Sequence, residues 1–177
     1  MITHKPSIRL ARDSDAQPIA VMSRCLIEVG LRGWSWNPAR VMRAIHSREC
    51  CVAVADIGHQ LAGFAIAEFG ETKLHLSLLA VAVTHQRKGI GRELVTWLEQ
   101  SALTAGLVEM QLELRANNQG AQFFYRSVGF TVMRAVPGYY RSEEAAIKMQ
   151  RGIGTPISSA VANKALDKLL FRNNNLK

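Results

Sequence analysis

The sequence predicts a mixed α/β domain in which single helices interrupt one sheet. Three observations predict it. KLHLSLLAVAV (residues 73–83) is an apolar run with the length of a central strand. Directly behind it, Ile90, Leu94, Leu98 and Ala102 make a stripe of period near 3.6 that Gly106 terminates. Next, Val108, Met110, Leu112 and Leu114 alternate with Glu109, Gln111, Glu113 and Arg115, as in a half-buried strand with one polar face.

The other elements follow in order. SIRLA (7–11) reads as a short strand. RDSDAQ supplies capping residues, and a helix is expected over 16–29, with Ile19, Met22 and Ile27 near one side. GLRGWSWNPAR ends it with two glycines and a proline. A short helix is expected over 38–46, because proline is accepted in a first helical turn. CCVAVAD and QLAGFAIAEF, separated by DIGH, read as a hairpin. After the three central elements, NNQGAQFFYRSVGF reads as a short helix capped by Asn118 and closed by Gly129. TVMRAV and AAIKMQ are the last strands, joined through PGYYRSEE. The order is β, α, α, β, β, β, α, β, α, β, β, which is neither a Rossmann domain nor a barrel. Residues 1–151 are read as one domain. Residues 152–177 form an extension with an amphipathic helix around Val161, Ala165, Leu169 and Leu170, which either docks on the domain or joins two copies as a homodimer.

Composition bounds the function. The chain has 177 residues, nearly half of them hydrophobic, enough for one proper core. No apolar run reaches the length of a membrane span, so no membrane partner is expected. The opening residues lack the apolar segment of a secretory signal. Cys25, Cys50 and Cys51 are an odd set without framework spacing, which points to reduced thiols and a cytoplasmic location. Cys50 and Cys51 open an apolar run, as buried strand thiols do, and His75 and His85 have no ligands at metal spacing, so no metal is expected. The formal charge of +8 suits an anionic partner. A dense basic stripe with interleaved aromatics is absent, so direct nucleic-acid binding is not expected.

The segment HQRKGIGRELVTWLEQ is the first candidate site. The first N–H groups of a helix have no partner within it, and the helix dipole adds about half a positive charge there. Gly89 and Gly91 let a phosphate approach the backbone. A strand, QRKGIG and a helix can therefore cradle a pyrophosphate. Neither the Walker loop nor the dinucleotide fingerprint is met.

Q-x-x-G-x-G (86–91) directly after LLAVAV resembles the acetyl-coenzyme A loop of the GNAT superfamily of N-acetyltransferases. IRLARDSDA resembles that family's first strand and turn, and ELRANNQGAQFFYRSVGF its second signature. The likeness spans residues 8–150. It implies a GNAT fold, with a central mixed sheet splayed at the cofactor site and flanked by helices. It implies acetyl-CoA as cosubstrate. Leu79, Ala80 and Val81 match the strand that offers backbone groups to the pantetheine arm. Arg87, Lys88, Gly89, Ile90, Gly91 and Arg92 match the pyrophosphate loop, and Asn118 a side chain that contacts the pantetheine portion. Val83 stands where many similar sequences have proline.

A narrower likeness concerns the RimI-type ribosomal-protein-alanine N-acetyltransferases. LELRANNQGAQFFYRSVGF resembles their LEVRxSNxxAxxLYxxLGF, VPGYYRSEEAAIKM their tyrosine-pair segment, and Trp34-Ser35 is similar to their Pro-Trp-Ser. The likeness implies Glu113 as general base and Tyr125 as general acid, and an acceptor that is a protein N-terminal α-amine. Tyr139 and Tyr140 would line the acceptor groove. Glu144-Ala145-Ala146 departs from the usual Glu-Asp-Ala, in a region that shapes the acceptor site.

The chemistry agrees. Transfer from a thioester needs a neutral amine. A peptide α-amine titrates near about 7.7–8.0 and lysine near about 10.4, so the first asks only modest help from a base. Tyr125 could protonate the leaving thiolate, and a central-strand N–H, with Val81 the candidate, could meet charge on the carbonyl oxygen. The residue pattern alone leaves Glu113 readable as a solvated strand position and Tyr125 as a core aromatic. It also leaves open a small-molecule amine or a lysine side chain as acceptor, and a coenzyme A-binding module without catalysis.

Overall fold

A computed structural model describes residues 5–30, 33, 35–140 and 144–154. The helix expected around Val161–Leu170 and Trp34 lie outside the described residues, as do the side chains of Tyr139 and Tyr140. The described elements are β1 (Ser7–Leu10), α1 (Ala16–Leu26), α2 (Pro38–His46), β2 (Cys50–Ile57), β3 (Gln60–Phe69), β4 (Lys73–Val81), α3 (Ile90–Thr104), β5 (Glu109–Arg115), α4 (Gln119–Ser127), β6 (Thr131–Tyr140) and β7 (Glu144–Gly152). This is the order expected from the sequence, with short 3-10 turns at Asp13–Asp15 and Val83–His85. The strand order is β1-β2-β3-β4-β5-β7-β6. The β4–β5 pair is parallel, so the sheet is mixed. Its ladder covers only Lys73–His75 against Glu109–Gln111, although both strands continue further. The chain divides into two compact units, Met1–Phe69 with Ser77–Leu98, and Gly70–Leu76 with Glu99–Lys177.

In the first unit β1, β2 and β3 form an antiparallel meander. Its core joins Ile19 and Ala20 of α1, Val41 of α2, Val52 and Val54 of β2, and Phe64 and Ile66 of β3. Each large side chain buried there stabilises the fold by about 1.5–3 kcal/mol. Arg9 of β1 ties the entrance to α1: its guanidinium meets Asp15 at 2.7 Å and Asp56 at 2.6 Å. Burial opposes the Asp15 charge, but the bonds from Arg9 and the Arg12 backbone N–H outweigh it and hold the carboxyl below its usual range.

Helix α1 ends at Leu26, three residues short of the expected end. Glu28 explains the difference. It is 3% exposed, and its carboxylate accepts from Ser23 Oγ, Ser35 N–H, Ser35 Oγ and Trp36 N–H at 2.7–3.1 Å. Four donors to one buried carboxylate are worth more than one further helical turn. Trp36 is thereby held in the core with Arg40 stacked over its ring at 4.1 Å. In α2, Pro38 occupies the first turn and the Asn37 side chain caps it, accepting from Arg40 N–H at 3.0 Å. Cys51 is buried, which pushes its thiol up to about 12, and Cys50 is half-buried.

In the second unit β5 pairs antiparallel with β7, and β7 with β6. Met110, Leu112, Met149 and Phe130 are buried. β6 runs through Pro137 and Gly138, which the sequence reading left in the connecting segment. The β6–β7 register shifts between Val136 and Tyr140, and Gly138 sits at φ +63°. An irregularity of this kind lets a strand absorb a proline that cannot donate to the ladder.

Candidate active site

The cofactor residues expected on β4 and its loop lie in the first unit. Leu79 and Val81 are half-buried and Ala80 is buried. Gly63 of β3 faces Ala80: a Cβ there would come 2.9 Å from the Ala80 carbonyl oxygen. Only glycine allows the two strands this approach. The sequence reading passed over Gly63, although a lone glycine inside an apolar strand is the signal that marks such a place.

Beyond Val81 the chain enters the Val83–His85 turn, where the His85 N–H donates to the Ala82 carbonyl at 2.8 Å. Val83 is the first residue of that turn, a position where proline also fits, so the departure noted in the sequence leaves the turn intact. The Gln86 side chain folds back and donates to the Val81 carbonyl at 3.0 Å, and Lys88 Nζ donates to the Thr84 carbonyl at 2.9 Å. The first residue of Q-x-x-G-x-G is thus the tie between loop and strand.

Arg87 and Gly89 both have left-handed backbones, at φ +61° and +86°. No protein atom would meet a Cβ at Gly89, so within the protein its glycine requirement is conformational. The Gly89 carbonyl accepts from the Glu93 N–H at 3.0 Å, which puts Gly89 at the start of α3. Left-handed residues before a helix turn successive N–H groups to one side as an anion-binding concavity. Arg87, Lys88 and Arg92 are exposed around it, while Ile90 is 1% exposed and anchors the helix start in the core. This arrangement fits a diphosphate: backbone donors would hold it, and the basic side chains would supply charge.

The expected catalytic residues lie in the second unit. Glu113 of β5 stands opposite Lys148 of β7 in register. Its Oε1 is 3.2 Å from Lys148 Nζ, and its Oε2 is 2.6 Å from His75 Nε2 of β4. Burial raises the cost of the Glu113 charge, but the hydrogen bond and charge of His75, then of Lys148, outweigh it and hold the carboxyl below its usual range. Neither His75 nor Lys148 was assigned a role from the sequence. The alternation K-L-H-L-S-L, with Leu74, Leu76 and Leu78 buried, was the available signal, since it puts His75 on a polar strand face.

Tyr125 on α4 is 8% exposed and packs edge-on against Phe124 at 5.1 Å and Phe130 at 5.5 Å between ring centroids. Two aromatic neighbours fix the ring plane and hence the direction of its hydroxyl. Asn118 caps α4: its Oδ1 accepts from the Ala121 N–H at 3.0 Å. The side-chain NH2 is then the part of Asn118 that a cofactor would meet.

The model of the acetyltransferase (GNAT) family matches residues 20–130, more than half of the chain. The chain belongs to this family. GNAT members are acetyltransferase enzymes that use acetyl-CoA. The chain is similar to the N-alpha-acetyltransferase RimI of Mycobacterium tuberculosis, with 35% identity over 126 residues, 68% of this chain and 78% of that protein. It is also similar to the [ribosomal protein bS18]-alanine N-acetyltransferase of Salmonella typhimurium, with 36% identity over 81 residues, 46% of this chain and 55% of that protein. The chain thus spans about half the length of the Salmonella relative. Among solved structures, the PaiA N-acetyltransferase of Thermoplasma acidophilum in complex with coenzyme A shares the fold, with a TM-score of 0.71, 18% identity, and coverage of 84% of this chain and 99% of that one. Among the described residues no helix is long and apolar enough to cross a membrane, and no group of three or more His, Cys, Asp or Glu could hold a metal ion.

Proposed function

We propose that this GNAT protein is a cytoplasmic acetyl-CoA-dependent N-acetyltransferase whose acceptor is a protein N-terminal α-amine. The observation that carries this reading is the state of Glu113. A carboxylate held below its usual range by His75 and Lys148 is a weak base. It suits an amine of which an appreciable fraction is already neutral near pH 7, as is true of an α-amine and not of a lysine. The named activities of the Mycobacterium and Salmonella relatives support the same acceptor class.

Acetyl-CoA, when bound, supplies an acetyl thioester. The backbone at Leu79, Ala80 and Val81 holds its pantetheine arm with help from Asn118. The N–H groups over Arg87, Lys88, Gly89, Ile90, Gly91 and Arg92 hold its pyrophosphate. The amine attacks directly, with both substrates bound together. Glu113 accepts the amine proton, Tyr125 donates one to the departing sulfur, and the Val81 N–H meets the charge that grows on the carbonyl oxygen.

Thiol release from acetyl-CoA with a panel of N-terminal peptides, N-blocked lysine peptides and small amines tests the reading. Release with free N-terminal peptides is expected. Release with small amines only would replace the protein acceptor, and tight acetyl-CoA binding without release above hydrolysis would replace catalysis with a binding role.

A further inference from the structure

The last two strands do not pair evenly. Val132 of β6 stands opposite Met149 of β7, but the neighbouring Lys148 faces Arg134 rather than Met133. One extra residue in β6 makes the shift. An even ladder would set Met133 against Lys148 and turn Arg134 to the other face of the sheet. The bulge instead brings Arg134 into the row that runs from Glu113 through Lys148, on the polar face. Re-aiming a side chain is a recurrent use of such bulges. β6 is an edge strand, and Arg134 is exposed on it.

For the fold alone this placement is unfavourable, because like charges directly opposite each other on neighbouring strands destabilise a sheet. Arg115, two residues along β5 from Glu113, adds a third cation to the same face. The carboxylates of that face are already engaged. Glu113 meets His75 with Oε2 and Lys148 with Oε1, and its side chain is 9% exposed. Glu109 lies 3.7 Å from Lys73 and accepts from the Gln111 side chain. Among the described residues, neither carboxylate is bonded to Arg134. An exposed guanidinium set against an ammonium whose carboxylate is already shared is a site for an anion from outside the chain.

We propose that Arg134 is a specificity-determining residue of the acceptor site, and that the acceptor is a protein N-terminus with aspartate or glutamate as its second or third residue. The inference rests on the acetyltransferase reading above and narrows its substrate. Two strand spacings, roughly 10 Å, separate the backbones at Glu113 and Arg134. An extended peptide advances about 3.3 Å per residue. With its α-amine at Glu113, an acceptor lying across β7 brings the side chain of its second or third residue within reach of the guanidinium. That group can take a carboxylate through two parallel N–H···O bonds, which gives geometric selectivity as well as charge. Lys148 adds to the attraction while it stays bonded to Glu113.

The test is kcat/KM for N-terminal peptides that differ only at their second and third residues (alanine, aspartate, glutamate or lysine), with the wild type, Arg134→Gln, Arg134→Lys and Arg134→Glu, at low and high salt. The wild type is expected to favour the acidic peptides over the alanine peptides by about tenfold, and by less at high salt. Arg134→Gln should cut that ratio to about twofold or less, Arg134→Lys should keep part of it, and Arg134→Glu should turn the preference toward the lysine peptides. The Tm of Arg134→Gln should equal or exceed that of the wild type, since the like-charge opposition to Lys148 is relieved. A wild type that acetylates the alanine peptides as well as the acidic ones overturns the proposal and leaves the acetyltransferase reading standing. An acidic preference that survives unchanged in both Arg134→Gln and Arg134→Glu overturns the role given to Arg134. A wild-type chain that releases no thiol with any peptide refutes the acetyltransferase reading itself.

Discussion

At Gly89 the backbone sits at φ +86°, a conformation that costs a residue with a Cβ about 1–2 kcal/mol. The loop is exposed, so an added side chain would relax it rather than strain the core. Gly89→Ala is therefore expected to weaken acetyl-CoA binding about five- to thirtyfold, as read by calorimetry, with thermal stability little changed. Unchanged affinity would show that the loop geometry does not hold the cofactor. The glycine itself was legible in the sequence, since Gly-x-Gly before a helical stripe is a recognisable pattern. Its left-handed backbone was not, because φ depends on how the preceding 3-10 turn delivers the chain. The same contrast holds at Glu113. Its strand face follows from alternation with Leu112 and Leu114, but its partners His75 and Lys148 come from strands 38 and 35 residues away. Such pairings depend on strand order and register, which a local pattern does not contain.

Elements were legible where periodicity was strong. α2 runs over Pro38–His46 as its proline start implied, and the alternating strand β5 lies where Glu109 to Arg115 alternate in polarity. Boundaries shifted where side chains from elsewhere intervened. Glu28 leaves the α1 pattern because donors from Ser23, Ser35 and Trp36 converge on it. β6 extends past Pro137 because β7 pairs with it on both sides of the irregularity. Glu28→Ala would leave the Ser35 and Trp36 N–H groups without their acceptor. It is expected to cost roughly 2–3 kcal/mol, seen as a fall of about 5–10 °C in Tm. A Tm within about a degree of wild type would show that water replaces the carboxylate there without loss.

For the molecule as a whole, the positive charge and the polar strip on β4, β5 and β7 serve different ends. The exposed Arg87, Lys88 and Arg92 surround a helix start suited to a diphosphate. The His75–Glu113–Lys148 chain joins β4, β5 and β7 and lowers the basicity of its own carboxylate. On the proposed reading, backbone donors would bind the anionic cosubstrate and little would be asked of the base. That combination favours an acceptor amine with a low pKa over a lysine. The most direct measurement is mass-spectrometric mapping of the acetyl group on a peptide that carries both a free N-terminus and an internal lysine, after incubation with the protein and acetyl-CoA near pH 7. Acetylation of the α-amine with the lysine left unmodified is the predicted result; acetylation of the lysine in preference to the N-terminus would contradict the account.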